Sequence, residues 1–128
     1  MNYQTLMCRR GIEKEIRQLE RDIARKESEC AASTSVLSHS PRAPSADRDK
    51  VARLATEIVY LRGELEKRVS ERDEMLRYIE SVPDAVTRTA MRLYFIRGYS
   101  WRRIAREVNY SRTGITKKVH NFLKECPK

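Results

Sequence analysis

Glycine and proline are scarce in this chain, at four residues each in 128. With so few breakers and with 35% charged residues, the composition leans strongly toward helix. Cysteine is also sparse. Cys8, Cys30 and Cys126 are far apart and no pair has the C-x-x-C spacing, so neither a zinc site nor a dithiol redox centre is expected. An odd, scattered set of thiols suits a reduced, cytoplasmic setting. No apolar run approaches the roughly 18 residues that a membrane span needs, and Met1–Arg10 lacks the apolar stretch of a secretory leader. No membrane partner is therefore expected. The phosphate-cradling loops G-x-x-x-x-G-K and G-x-G-x-x-G are missing, as is the nucleophile elbow G-x-S-x-G. Neither His39 nor His120 has a Cys, Asp or Glu at ligand spacing. The many carboxylates of the N-terminal half alternate with lysine and arginine, the pattern of a solvated surface rather than of an acid/base pair in a cleft. The expectation is a non-enzyme with no catalytic residues, no metal and no cofactor.

What the chain does have is helical periodicity. Ile12, Ile16, Leu19 and Ile23 recur at spacings of 4, 3 and 4, the rhythm of a packed amphipathic helix or coiled coil. An N-terminal helix is read over 1–31. Residues 32–46 are small and polar and include Pro41 and Pro44, which preclude a continuous helix and read as a flexible linker. A long amphipathic helix follows over 47–82, with Val51, Leu54, Ile58, Leu61 and Leu65 in one stripe that continues, after a stutter, through Val69, Leu76 and Ile79. Gly63 lies inside it at a cost of about 1 kcal/mol relative to alanine. Two such helices suggest an antiparallel hairpin, or pairing with a second copy in a homodimer, since each offers only a narrow apolar stripe.

Charge divides the chain unevenly. Residues 1–82 carry 16 Lys/Arg and 15 Asp/Glu, a net +1, whereas residues 83–128 carry 11 and 3, a net +8. An excess of one sign confined to the last third points to a polyanion, double-stranded DNA before any other. That third is punctuated into three helices. Pro83 and Asp84 suit a first turn. Gly98 suits a left-handed stop. Ser100 and Ser111 are placed to cap the second helix, Trp101–Val108, and the third, from Arg112 to about Glu125. Expected core faces are Val86, Ala90, Leu93 and Tyr94 on the first helix, Trp101, Ile104, Ala105 and Val108 on the second, and Ile115, Val119, Phe122 and Leu123 on the third. His120 is expected to face solvent or a DNA backbone. A short helix, a turn and a second helix make a helix-turn-helix. On the remaining face of the third helix, Arg112, Thr113, Thr116, Lys117 and Asn121 are of the types that read base edges. Arg102, Arg103, Arg106, Lys118 and Lys124 are the expected phosphate contacts.

The stretch Val82–Leu123 resembles region 4 of sigma-70 factors. The resemblance is carried by Val82-Pro83-Asp84, Arg88, Leu93, Tyr94, Gly98, Ser100-Trp101, Ile104-Ala105 and Tyr110-Ser111-Arg112. It is most similar to small phage and prophage proteins in which this region follows a helical N-terminal part, some regarded as regulators of late phage transcription. The resemblance implies promoter contact in the major groove, RNA polymerase as a second partner, and a nucleoid-associated place in a bacterial host. Two features depart from the pattern: Gly114 inside the recognition helix, and Arg102-Arg103 where many relatives are acidic. No region-2-like module is present, so the chain need not be a complete sigma factor. The expected fold is thus all-α, with long N-terminal helices followed by a region-4-like helix-turn-helix. Two rival expectations are a DNA-packaging adaptor resembling a small terminase subunit, and a coiled-coil protein that binds RNA polymerase without touching DNA.

Overall fold

The structure, a computed structural model, describes residues 1–39 and 45–125, with side chains over 1–33 and 48–124. The fold is all-α, and no strand occurs among the described residues. Among the described residues six α-helices follow in order: α1 Tyr3–Cys8, α2 Ile12–His39, α3 Ser45–Glu80, α4 Ala85–Met91, α5 Trp101–Val108 and α6 Arg112–Glu125, with a π-helical segment, Arg92–Ile96, continuing α4. The chain divides into two compact units, one of Ile16–Lys67 and one combining Met1–Glu15 with Arg68–Lys128.

In the unit Ile16–Lys67, parts of α2 and α3 pair within a single chain. Lys26 donates to Glu57 at 2.6 Å, and Arg62 pairs with Glu27. Ile16 and Ile23 of α2 and Leu54 and Ile58 of α3 are buried, so the seam is the apolar stripe that the 3,4 spacing marks. Burial of each such side chain contributes roughly 1.5–3 kcal/mol. The partly exposed ion pairs add little by comparison and serve mainly to fix register. The hydrogen bond from Lys26, with the positive charge of Lys26 and Arg53 nearby, holds the Glu57 carboxyl below the usual glutamate range. Of the expected linker, 32–46, residues 32–39 and 45–46 are helical. Helix α2 continues to His39 and α3 begins at Ser45, while 40–44, including both Pro41 and Pro44, lie outside the described residues. Proline restricts chiefly the residue just before it, so helix can run to His39, two positions ahead of Pro41, and Ala31-Ala32 upstream favour helix.

The other unit gathers both ends of the chain around one core. Asn2 caps α1, its Oδ1 accepting from Thr5 N at 2.8 Å, and Leu6 is fully buried. Ile12 at the start of α2, Met75 and Ile79 from the end of α3 and Val82 just after it are buried as well, in the unit that also holds Met91, Phe95, Ile104, Ile115 and Val119. Helices α5 and α6 pack against each other, and α4 contacts both. Ion pairs run through Arg9–Glu71 (3.2 Å), Arg68–Glu71 (2.9 Å) and Arg68–Glu15 (3.3 Å), linking the first turns to α3. The three C-terminal helices expected over 83–128 thus share their core with residues 1–15 and 68–82.

One expected face is displaced. On α4 and its extension the buried residues are Thr87, Ala90, Met91, Phe95 and Ile96, while Val86, Leu93 and Tyr94 are only half-buried. From residue 92 onward the cause is the π-helical segment. Arg97 N bonds Arg92 O, five residues back, at 3.3 Å, and the extra residue in that turn rotates everything after it relative to a 3.6-residue period. Phe95 and Ile96 turn inward, and Tyr94 is released to the edge.

Candidate nucleic-acid interface

Local chemistry sets the ends of α5 and α6. Ser100 Oγ accepts from Arg103 N at 3.3 Å, which starts α5. Asn109 ends it in the left-handed region, at φ 58°, a conformation that asparagine tolerates better than most residues. Tyr110 N returns to Ala105 O at 3.0 Å. Ser111 Oγ then accepts from Gly114 N at 3.0 Å and starts α6. Gly114 has a physical explanation here: a Cβ at that position would stand 2.8 Å from Ser111 Oγ. The glycine that weakens the helix interior thus leaves room for its cap.

Both helices are two-sided. On α5, Ile104 and Ala105 are buried and Trp101 and Val108 half-buried, whereas Arg102, Arg103 and Arg106 are exposed. At 100° per residue those three arginines fall within about 100° of one another. On α6, Ile115 and Val119 are fully buried, with Phe122 and Leu123 half-buried beside them. Thr113, Lys117, Asn121 and Lys124 are exposed at spacings of 4, 4 and 3, one continuous stripe opposite that core, and Arg112 is exposed at the helix start.

Not every expected site residue is equally available. Thr116 is half-buried and its hydroxyl donates to Arg112 O at 2.6 Å, which leaves its methyl and the acceptor side of the hydroxyl to an incoming group. Lys118 stands 3.5 Å from Asp84 and near the ring of Tyr110, at 5.9 Å. Asp84 is also the cap of α4, accepting from Thr87 N at 2.9 Å and from Thr87 Oγ1 at 2.7 Å. The Thr87 hydrogen bonds, helped by the Lys118 ammonium, hold the Asp84 carboxyl below the usual aspartate range. Lys118 is therefore placed where its ammonium faces the cap that starts α4. His120 is half-buried rather than facing out, with the rings of Tyr3 at 5.6 Å and Trp101 at 6.3 Å.

Sequence reading overlooked Tyr99 and Arg10. Arg103 lies over the Tyr99 ring at 3.7 Å, which holds one α5 guanidinium in a defined place. The adjacency of Tyr99 and Arg103, one helical turn apart across the Ser100 cap, was the available signal. Arg10 reaches the same loop from the other end of the chain, and no local pattern announces it. Among the described residues no group of three or more His, Cys, Asp or Glu is placed to hold a metal ion, and no helix is long and apolar enough to cross a membrane.

Comparison with family models, with curated proteins and with solved structures finds no match to this chain.

Proposed function

We propose that this protein is a sequence-specific DNA-binding regulator of transcription, in which α5 and α6 form a helix-turn-helix and α6 enters the major groove. One observation carries this reading: the exposed stripe Thr113–Lys117–Asn121–Lys124 on α6, opposite a fully buried Ile115–Val119 core, accompanied by the exposed arginines of α5. Such a surface has no role in holding the fold, and its residue types match groove edges and phosphates. Arg112, Thr113, Lys117 and Asn121 read bases, with the Thr116 methyl suited to the methyl group of thymine. Arg102, Arg103, Arg106 and Lys124 neutralise phosphates. Lys118, engaged by Asp84, orients α6 and contributes less to phosphate contact than its charge suggests.

Affinity in this scheme comes chiefly from counterion release and specificity from α6. The resemblance to sigma region 4 supports a promoter element as the target, phage or prophage genes as the regulated set, and RNA polymerase as a neighbouring partner. With the stripes of α2 and α3 paired inside one chain, a second copy as partner would have to use another surface, such as the exposed Val59 and Tyr60 of α3. The decisive experiment selects duplexes bound by the intact protein from a random pool, then titrates salt against the selected site. A sharp motif is expected, with log K falling against log[salt] at a slope near −5 for about six neutralised phosphates. A slope near zero, or no enrichment, overturns the reading.

A further inference from the structure

We propose that Arg10 is a positioning residue that sets the start of α5, and with it the placement of Arg102, Arg103 and Arg106; the consequence for DNA rests on the reading above. The loop between the π-helical segment and Ser100 must turn sharply, so its carbonyls cannot all find partners within a helix. Arg10 supplies them. Its Nε donates to Tyr94 O at 3.2 Å, and one terminal nitrogen donates to Gly98 O at 3.2 Å and Tyr99 O at 2.9 Å. Only a planar, multi-donor guanidinium can serve three carbonyls in this way; a lysine ammonium lacks the fork.

The same group lies 4.0 Å from the centroid of the Tyr94 ring, and that ring is stacked on Trp101 at 4.0 Å with 14° between planes. One ring face has no room for both partners at that distance, so Arg10 and Trp101 take opposite faces of Tyr94. Trp101 is the first residue of α5. The backbone seals the joint: Gly11 N donates to Phe95 O at 2.9 Å, and a Cβ on Gly98 would come within 3.2 Å of Gly11 Cα. Both glycines have positive φ, 78° at Gly11 and 76° at Gly98, so a side chain at either position is strained as well as crowded. Residue 10 thus governs where a helix beginning at residue 101 points.

The test compares intact wild-type protein with Arg10→Lys and Arg10→Gln. Trp101 is the chain's single tryptophan, so its emission reads the joint without DNA. Binding is measured on the pool-selected duplex and on a scrambled duplex of equal length. Both variants are expected to keep their helical circular dichroism, to shift or expose Trp101, and to lose about tenfold in affinity for the selected and the scrambled duplex alike, because the arginines they displace contact phosphates. Arg10→Lys should do no better than Arg10→Gln, and the two should reduce the salt slope to the same extent. If Arg10→Lys restores binding and Arg10→Gln lowers the slope by about 1, Arg10 touches phosphate directly and the proposal is overturned. Loss of helix in both variants overturns it too, in favour of general structural support. Should wild type show no salt-dependent binding, the DNA reading fails separately; unaltered Trp101 emission in the variants would sink the joint itself.

Discussion

The two units of this protein use charge in opposite ways. Residues 16–67 carry 10 Lys/Arg and 9 Asp/Glu, a net +1, and their charges meet in pairs such as Lys26–Glu57 and Arg62–Glu27. The combined unit, 1–15 with 68–128, carries 17 and 9, a net +8. On its helices α5 and α6, Lys118 is the cation with an ion-pair partner among the described residues. Balanced charge fixes the register of a long seam. Unbalanced charge adds self-repulsion to a small core, and such a cost is retained where an outside anion relieves it.

The largest effect expected on this contrast comes from the core of the basic unit. Phe95→Ala removes a fully buried ring and should cost about 3–5 kcal/mol in chemical denaturation, abolishing DNA binding. Leu54→Ala in the paired unit should cost about 2–5 kcal/mol locally, seen as faster hydrogen exchange in α2 and α3, with Trp101 emission unaltered. Equal disturbance of Trp101 by both changes would mean that the units do not behave separately.

Next in size are the changes on α6. Arg112→Ala should relax base preference by about 1–3 kcal/mol at one position of the selected motif, whereas Lys124→Ala should weaken all duplexes alike and reduce the salt slope by about 1. Identical behaviour of the two would erase the distinction between reading and positioning residues. Smaller again is Gly63→Ala. The site for its Cβ is empty to 4 Å, so the change should stabilise the paired unit by about 0.5–1 kcal/mol in thermal melts and leave DNA affinity alone.

The smallest expected effect is on acid sensitivity. Asp84 has a folded-state pKa lowered from 3.8, so the unfolded chain binds its proton more readily. Its contribution is complete above that ordinary value and fades as pH falls through the lowered one. Asp84→Asn should therefore flatten the dependence of Tm on pH below about 4 while lowering Tm slightly at neutral pH. An unchanged acid limb would show that another carboxylate controls it.

Features set by neighbours in sequence were legible without coordinates. Ser100 begins α5 and Gly98 takes a positive φ because caps and stops depend on a few adjacent residues. The basic stripe on α6 follows from helical spacing alone, as does the burial of Ile104, Ile115 and Val119. The inward turn of Phe95 was hidden, since a single π turn leaves no mark in composition yet shifts every later position. Lys118 looked like a free cation because its partner Asp84 is 34 residues earlier, on another helix. Arg10 and Leu6 were hidden for the same reason on a larger scale.

That scale has a consequence for how the molecule is made. Arg10 meets Tyr94 across 84 positions of chain and Tyr99 across 89. At a synthesis rate of about 5–20 residues per second, the early turn waits several seconds or more for its counterpart. Helices α2 and α3 lie wholly in the intervening stretch or at its borders and can pair meanwhile. The surface bearing α5 and α6 then matures after α2 and α3 have paired, and a nascent chain halted before residue 98 holds an unfinished joint.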